Sequence, residues 1–383
     1  MANTDLFHIR TEEAPRLPAP ISTTGVIGWM RQNLFSSVGN TVLTVIGILI
    51  AYSLIEPLIK FALIDAVWSG SNREACLPQD GGHGGACWAY VEAFFPQFIY
   101  GRYPSEEIWR VNIVYFLFAA LLVPLAMPSA PFKKLNAILF LVVFPIVSYY
   151  LLTGLVFGDW VILPIVETAV WGGLLVTLVI AVTGIVASLP LGIALALGRR
   201  SKMPIIKLVS IIFIEFWRGV PLITVLFMSS VMLPLFLPEG VTFDKLLRVL
   251  IGVTLFSAAY MAEVVRGGLQ AIPKGQYEGA MALGLRFWPM MYLIILPQAL
   301  KLVIPGIVNT FIGLFKDTTL VLIVGMYDLL GMIQSSFTDP TWSTPSTGHT
   351  GYLFAALVFW TFCFGMSRYS IFMERKLHTG HKR

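Results

Sequence analysis

Long apolar runs separated by short polar breaks dominate the chain, and they set the first expectation. Runs of about 17 to 25 apolar residues have the length that a membrane-spanning helix needs. Eight such runs occur, near Thr41–Leu63, Val111–Met127, Leu135–Leu152, Ala169–Leu197, Ile205–Leu235, Leu247–Gly267, Pro289–Phe311 and Tyr352–Phe372. Between the last two, "GLFKDTTLVLIVGMYDLLGMI" reads as a partial or re-entrant helix. The period-two alternation over about ten residues that marks a membrane barrel is absent. The predicted fold class is an all-α polytopic membrane protein with about eight transmembrane helices.

Composition agrees with that pattern. The 383 residues are 57% hydrophobic and 12% charged, with a mean hydropathy of +0.79. Soluble chains carry roughly 25% charged residues, so lipid is the expected solvent and membrane lipid the first partner. The net charge of +5 reads as loop bias that sets orientation, not as affinity for nucleic acid. The basic loops "PFKK" and "GRRSK" and the end "MERKLHTGHKR" fall on one side when eight spans are counted. That side is then cytosolic, with both termini on it. Residues 1–35 are read as a polar cytosolic tail without the apolar core of a signal peptide, and 377–383 as a basic cytosolic tail. Residues 36–165 form a three-helix extension with an outward loop at 69–110. Residues 166–376 hold five spans and every intramembrane cluster of acids and bases.

The outward loop contains Cys76 and Cys87 in "CLPQDGGHGGACW". In an oxidising compartment the two pair as a disulfide; otherwise they are two free thiols. With His83 between them they still fall short of the four ligands of a closed zinc site. Cys363, inside an apolar span, is read as packing.

One stretch interrupts the apolar pattern on the cytosolic side, "KGQYEGAMALGLRFWPMMYLIILP" from Lys274 to Pro297. Pro273 suits a helix start. Glu278 is placed in the first turn, where a negative charge meets the positive helix end. Gly279, Ala280 and Ala282 keep one surface shallow. Gly284 supplies a left-handed stop, and Arg286 follows near the negative end. The segment is either a plain amphipathic connector or a short helix shaped to enter a cleft in another protein.

"EGAMALGLRFWPMMYLIILP" resembles the EAA motif of type I ABC importer permeases. Glu278, Ala280, Gly284, Ile294, Leu296 and Pro297 are in register with it, and Gly279 stands where that motif has Ala. The substitution keeps the surface small and costs up to about 1 kcal/mol of helix propensity. "IEFWRGVPLITVLF", "AYMAEVVRGGLQAIPKGQYEGA" and "LFKDTTLV" are similar to the polar amino-acid branch of that family, with Val220 for a more frequent Thr and Thr319 for a more frequent Ser. The likeness runs from about Val166 to Lys376. The three extra spans and the cysteine loop look like an Aap/Bzt-type permease of the general L-amino-acid uptake system. The resemblance implies that the last five helices form the importer core. It further implies that Gln276, Glu278, Gly279, Ala280, Ala282, Gly284 and Arg286 couple the chain to a cytosolic ABC ATPase dimer. That partner would bind ATP and Mg. A second homologous permease subunit, a periplasmic amino-acid-binding protein and a bacterial inner-membrane location are also implied.

The chain lacks a phosphate-cradling G-x-x-x-x-G-K-[ST] loop and any zinc-protease or nucleophile-elbow motif, so no catalysis and no cofactor are expected in it. Charges within spans are costly and need a reason. Glu215 and Arg218, and Glu263 and Arg266, are each three residues apart, on one helix face. They are either internal ion pairs or, for Glu215 and Arg218, part of a substrate path. Lys316, Asp317, Thr318 and Thr319 offer an acceptor for an ammonium and donors for a carboxylate, or else cap a helix end. Tyr260 and Asn309 are further candidates for the same cavity. The rival reading is an ion-gradient-driven secondary transporter of amino acids, which should show inverted repeats and paired broken helices. No second copy of either motif is present. A structural scaffold would have no need of Glu215 or Asp317.

Overall fold

The computed structural model describes residues 25–78, 84–158, 160–236, 238 and 243–377. Most of the expected N-terminal tail, His83 and the tail beyond Leu377 lie outside them. Besides short 3-10 turns at Arg73–Cys76 and Thr168–Val170, fourteen helical stretches occur among the described residues. In order they are α1 (Gly25–Asn33), α2 (Val38–Ile64), α3 (Trp88–Tyr100), α4 (Ser105–Ala126), α5 (Lys133–Thr153) and α6 (Gly173–Arg199). They continue with α7 (Pro204–Gly219), α8 (Leu222–Phe236), α9 (Lys245–Ala271), α10 (Lys274–Ala282) and α11 (Phe287–Leu302). The last three are α12 (Ile304–Val324), α13 (Leu329–Ser336) and α14 (Thr347–Leu377). A small antiparallel pair, β1 (Leu155–Phe157) and β2 (Trp160–Leu163), joins α5 to α6.

Among the described residues, seven helices are long and apolar enough to cross a membrane, and the bent pair α7–α8 makes up to eight. The expected fifth span is that pair, turned by 104°. Pro221 is the reason: it has no N–H to continue the ladder and opens α8 from an extended backbone. The seventh span also departs from expectation. The apolar run at 289–311 breaks at Val303, and a fresh helix starts with Pro305 in its first turn. The spanning helix is therefore α12, and Lys316–Thr319 sit inside it, not in a separate re-entrant piece. Only α13 has the short form foreseen for that region. Its turn is made by Gly325, at φ +73°.

By contacts the chain parts after Ala66, so α1 and α2 form one unit, and everything from Val67 onward, apart from residues 83–85, forms another. The boundary foreseen at 165/166 follows a different criterion, the reach of the resemblance. In the second unit, α4 and α5 share a core with α6, α8, α9 and α12 through Val111, Val114, Phe140, Phe144, Val176, Ile180 and Val253.

The axis of that unit is the contact of α6 with α9. Gly184, Ser188, Gly192 and Ala196 recur every fourth residue on α6 and are all buried. A Cβ on Gly192 would lie 2.7 Å from the Cβ of Met261. Small residues at this spacing let two helices approach closely, and close packing is what associates helices in lipid.

A second close contact fastens α3 to the start of α6. Gly101 has φ +69°, and a Cβ there would stand 2.3 Å from the backbone nitrogen of Gly172. Gly173 has φ +61°, with a Cβ position 2.2 Å from the Phe98 carbonyl oxygen. The Gly173 N–H donates to the Tyr327 carbonyl at 3.0 Å, which brings in the turn before α13. There Asp328, fully buried, caps α13 by accepting from the N–H groups of Gly331 (2.9 Å) and Leu330 (3.2 Å). Thr177 Oγ1 accepts from Leu329 N at 3.0 Å. Cys76 and Cys87 are joined as a disulfide, with Cα atoms 5.6 Å apart. They pack with Tyr90, Phe98, Leu329, Ile333 and Trp342.

Two outcomes follow from this packing. Gly101→Ala meets both a left-handed backbone and another chain segment, so the purified protein in nanodiscs should lose at least ~2 kcal/mol of stability, read as a lower melting temperature. Gly267→Ala, where an added Cβ meets nothing within 4 Å, should lose none. Burial also pushes the Asp328 carboxyl up to about 6, from 3.8. A raised folded-state value means that the group's contribution is fully present below 3.8 and is lost as pH rises through about 6. Asp328→Asn keeps the stronger cap bond, from Gly331 N to Oδ1, and removes the charge. It should raise the melting temperature at neutral pH, and the gain should fade on acidification through that window.

Candidate functional site

The α10 segment is fixed at both ends. Pro273 precedes it with an extended backbone. Gly284 closes it at φ +73°, with Gly284 N donating to Met281 O (2.9 Å) and Leu285 N to Ala280 O (3.1 Å). That pair of bonds is a Schellman stop. One side of α10 is anchored. Ala280 is 2% exposed against Ile295 and its neighbours, and Gln276 accepts from Gln298 Nε2 at 3.1 Å. Tyr277 donates to the Leu269 carbonyl (3.1 Å) and accepts from Arg200 Nη1 (3.1 Å). Arg200 donates to the same carbonyl at 2.8 Å.

The other side is bare. Glu278, Gly279, Met281, Ala282 and Leu283 are exposed, and a Cβ on Gly275 or Gly279 would touch nothing within 4 Å. Three expectations change. Ala280 faces the spans and not the open surface. Glu278 is the fifth residue of the helix, past the first turn where the macrodipole acts. Arg286 caps the start of α11, because the Gly284 turn separates it from the end of α10.

The two acid–base pairs read separately in the sequence form one cluster. Glu263 accepts from Arg266 Nη2 at 2.6 Å and Arg199 Nη1 at 2.9 Å, with Arg218 at 3.8 Å. Arg199 also reaches Glu215 at 2.8 Å, and Arg218 lies 3.9 Å from Glu215. Glu263 is the hub and the most sheltered member, at 16% exposure. Three guanidiniums thus meet two carboxylates across α6, α7 and α9. Arg199 was missed as a member because the sequence shows it only as part of a basic loop. It is adjacent to Arg200, so the cluster and the anchored face of α10 hang from neighbouring residues.

The remaining candidates are dispersed. Tyr260 packs against Phe256 with its ring tilted and the centroids 4.9 Å apart, and the Arg218 guanidinium lies 5.8 Å from its ring. Among the described residues no hydrogen bond or ion pair joins Tyr260 or Asn309 to Lys316–Thr319. Thr318 is buried and donates to Phe315 O at 2.8 Å, and Thr319 donates to Lys316 O at 3.0 Å. Both hydroxyl protons are therefore spent on their own helix. Asn309 and Lys316 are exposed on α12, as is Pro305, and Gly313 opens onto free space. At that spacing the two polar residues, Asn309 and Lys316, share one face of a spanning helix with Pro305 and Gly313.

Comparison with known proteins places this geometry. Residues 188–378 match the family described as the binding-protein-dependent transport system inner membrane component. The matched region contains α10, Arg199 and both carboxylates of the cluster. The chain is 50% identical over 366 residues to the inner membrane amino-acid ABC transporter permease protein YhdY of Escherichia coli (strain K12), covering 96% of this chain and 97% of that one. It is 42% identical over 438 residues to the glutamate/glutamine/aspartate/asparagine transport system permease protein BztC of Rhodobacter capsulatus, covering 99% and 100%. A crystal structure of an amino acid ABC transporter with histidines aligns at 29% identity and a TM-score of 0.46, over 53% of this chain and 92% of that one. The chain belongs to the family of binding-protein-dependent transport system inner membrane components.

Proposed function

We propose that this chain is the permease subunit of an ATP-driven amino-acid importer, with both termini and α10 in the cytosol. The observation that carries the reading is α10 itself, a short helix locked to the spans on one side and left bare and shallow on the other. Such a surface suits a cleft in a partner. In this reading the partner is an ABC ATPase dimer that binds ATP and Mg, and the chain performs no catalysis. A second homologous permease subunit completes the pathway, and a periplasmic binding protein delivers substrate. Asn309 and Lys316, exposed on one face of α12, support the second subunit. Polar groups on a spanning helix are costly against lipid and belong toward a bundle interior or a water-filled path.

The coupling route is short. ATP-driven closure of the ATPases shifts α10. Tyr277 and Arg200 pass the shift to the Leu269 carbonyl and the last turn of α6. Arg199, next in sequence, holds Glu215 and Glu263. The cluster thus ties the coupling helix to α7 just before its bend into α8. Breaking and remaking these ion pairs would let α7 turn as the pathway opens inward. Most members are partly exposed, which keeps each pair weak enough to exchange.

In the assembled complex, Gly279→Trp and Glu278→Lys should each release the ATPase during purification and abolish ATP-dependent uptake into proteoliposomes. Retained ATPase with normal uptake would remove α10 from the coupling role. Uptake that survives ATPase inactivation and collapses with an ionophore would replace the importer by a gradient-driven carrier. Glu263→Gln leaves three guanidiniums facing one carboxylate. It should reduce uptake by ~10-fold or more while the ATPase stays bound, as read from uptake and co-purification on the same sample.

A further inference from the structure

At the end of α9 opposite α10 lies a cavity of about 190 Å³ that the coupling reading does not use. We infer that it is a carboxylate-binding site for a small amino acid or dicarboxylic acid, built by Arg102 and Lys245. It rests on the proposed function only for which side of the membrane it faces, the outer one. Its walls come from four places: the turn after α3, the approach to α6, the start of α9 and the turn before α13. Three of those segments are tied backbone to backbone, and the Thr168 hydroxyl ties the start of α9 to them through Asp244. Gly101 bridges Trp171, Arg102 N donates to Val170 O at 3.0 Å, and Gly173 N to Tyr327 O at 3.0 Å. The frame is therefore set before any ligand arrives, which lowers the cost of binding.

The charge in the cavity is unbalanced toward an anion. Arg102 and Lys245 have no ion-pair partner among the described residues. The Arg102 guanidinium is steadied 5.1 Å from the Tyr327 ring. The one carboxylate present, Asp244, is already committed. Its Oδ1 accepts from Leu246 N (2.8 Å) and Leu247 N (3.3 Å), and its Oδ2 accepts from Thr168 Oγ1 (2.5 Å). Two cations against one occupied acid leave room for one more carboxylate, which a guanidinium fork and an ammonium hold well. Trp171, 5% exposed, supplies an apolar wall for a short aliphatic chain. The volume suits a molecule of about ten heavy atoms and excludes a peptide. A substrate acid caught here would be held at the mouth before it enters the path between subunits.

Ligand binding is measured on the full chain in nanodiscs, without ATP or partners, and docking of the binding protein and uptake are measured on the assembled complex. Glutarate and L-glutamate are titrated by calorimetry, with 1,5-diaminopentane as the control that lacks a carboxylate. Both acids should bind saturably and the diamine should not. Arg102→Gln and Lys245→Gln should each weaken binding at least ~10-fold, the usual scale for a lost bond to a charged group. Arg102→Lys, with an unchanged melting temperature, should retain part of the affinity. A glutarate-dependent change in tryptophan fluorescence should vanish in Trp171→Phe. Absence of heat with both acids, or equal heat in the Arg102→Gln, Lys245→Gln double variant, overturns the site. So does a double variant that loses only docking of the binding protein, which would give the cations to a protein side chain. Binding that persists in Gly279→Trp while uptake is lost would separate this site from the importer reading.

Discussion

The α6–α9 contact is the constraint on which the rest of the molecule depends. Gly184, Ser188, Gly192 and Ala196 let the two long helices touch along their length. In lipid there is no hydrophobic gain from hiding apolar surface, so close dispersion packing must hold the pair. Once it is held, the ends of α6 and α9 are fixed relative to each other. One end carries Arg199, Glu263 and Arg266. The other carries Lys245 and the Gly172–Gly173 turn. Both polar regions are therefore attached to one rigid rod pair about 40 Å long, from the rise of a 27-residue helix.

Polar chemistry is concentrated where that rod pair ends and irregular backbone begins. Near α10 the polar groups are ionic and cross-linked, and they share Glu263 as a hub. At the opposite end they are held by backbone bonds and glycine contacts, and Arg102 and Lys245 form no ion pair among the described residues. The first arrangement can exchange partners as helices move. The second cannot deform without a clash.

Much of this was legible in the sequence, and for identifiable reasons. Spans were readable because hydrocarbon thickness imposes a length on apolar runs. The α10 segment was readable because Pro273 and Gly284 punctuate it and its small residues are local. Contacts between distant segments were not. Nothing local in "GRRSK" says that Arg199 reaches Glu215 and Glu263 while Arg200 turns to Tyr277. The break at Val303 was missed because the apolar stretch from Leu302 to Val308 runs through it, so 289–311 reads as one span. Nothing local marked Gly101, in the long polar loop, or Gly173, inside the fourth expected span, as points of close approach to another backbone.

The disulfide-bearing lobe has a consequence for how the chain folds. Cys87 donates its N–H to Thr350 Oγ1 across 263 positions of sequence, and the Tyr90 hydroxyl bonds Ser336 across 246. Both partners are made long after the cysteines. The cystine-bearing segment therefore waits for neighbours on α13 and α14 before its packing is complete. Folding of this lobe closes from late helices back onto an early loop.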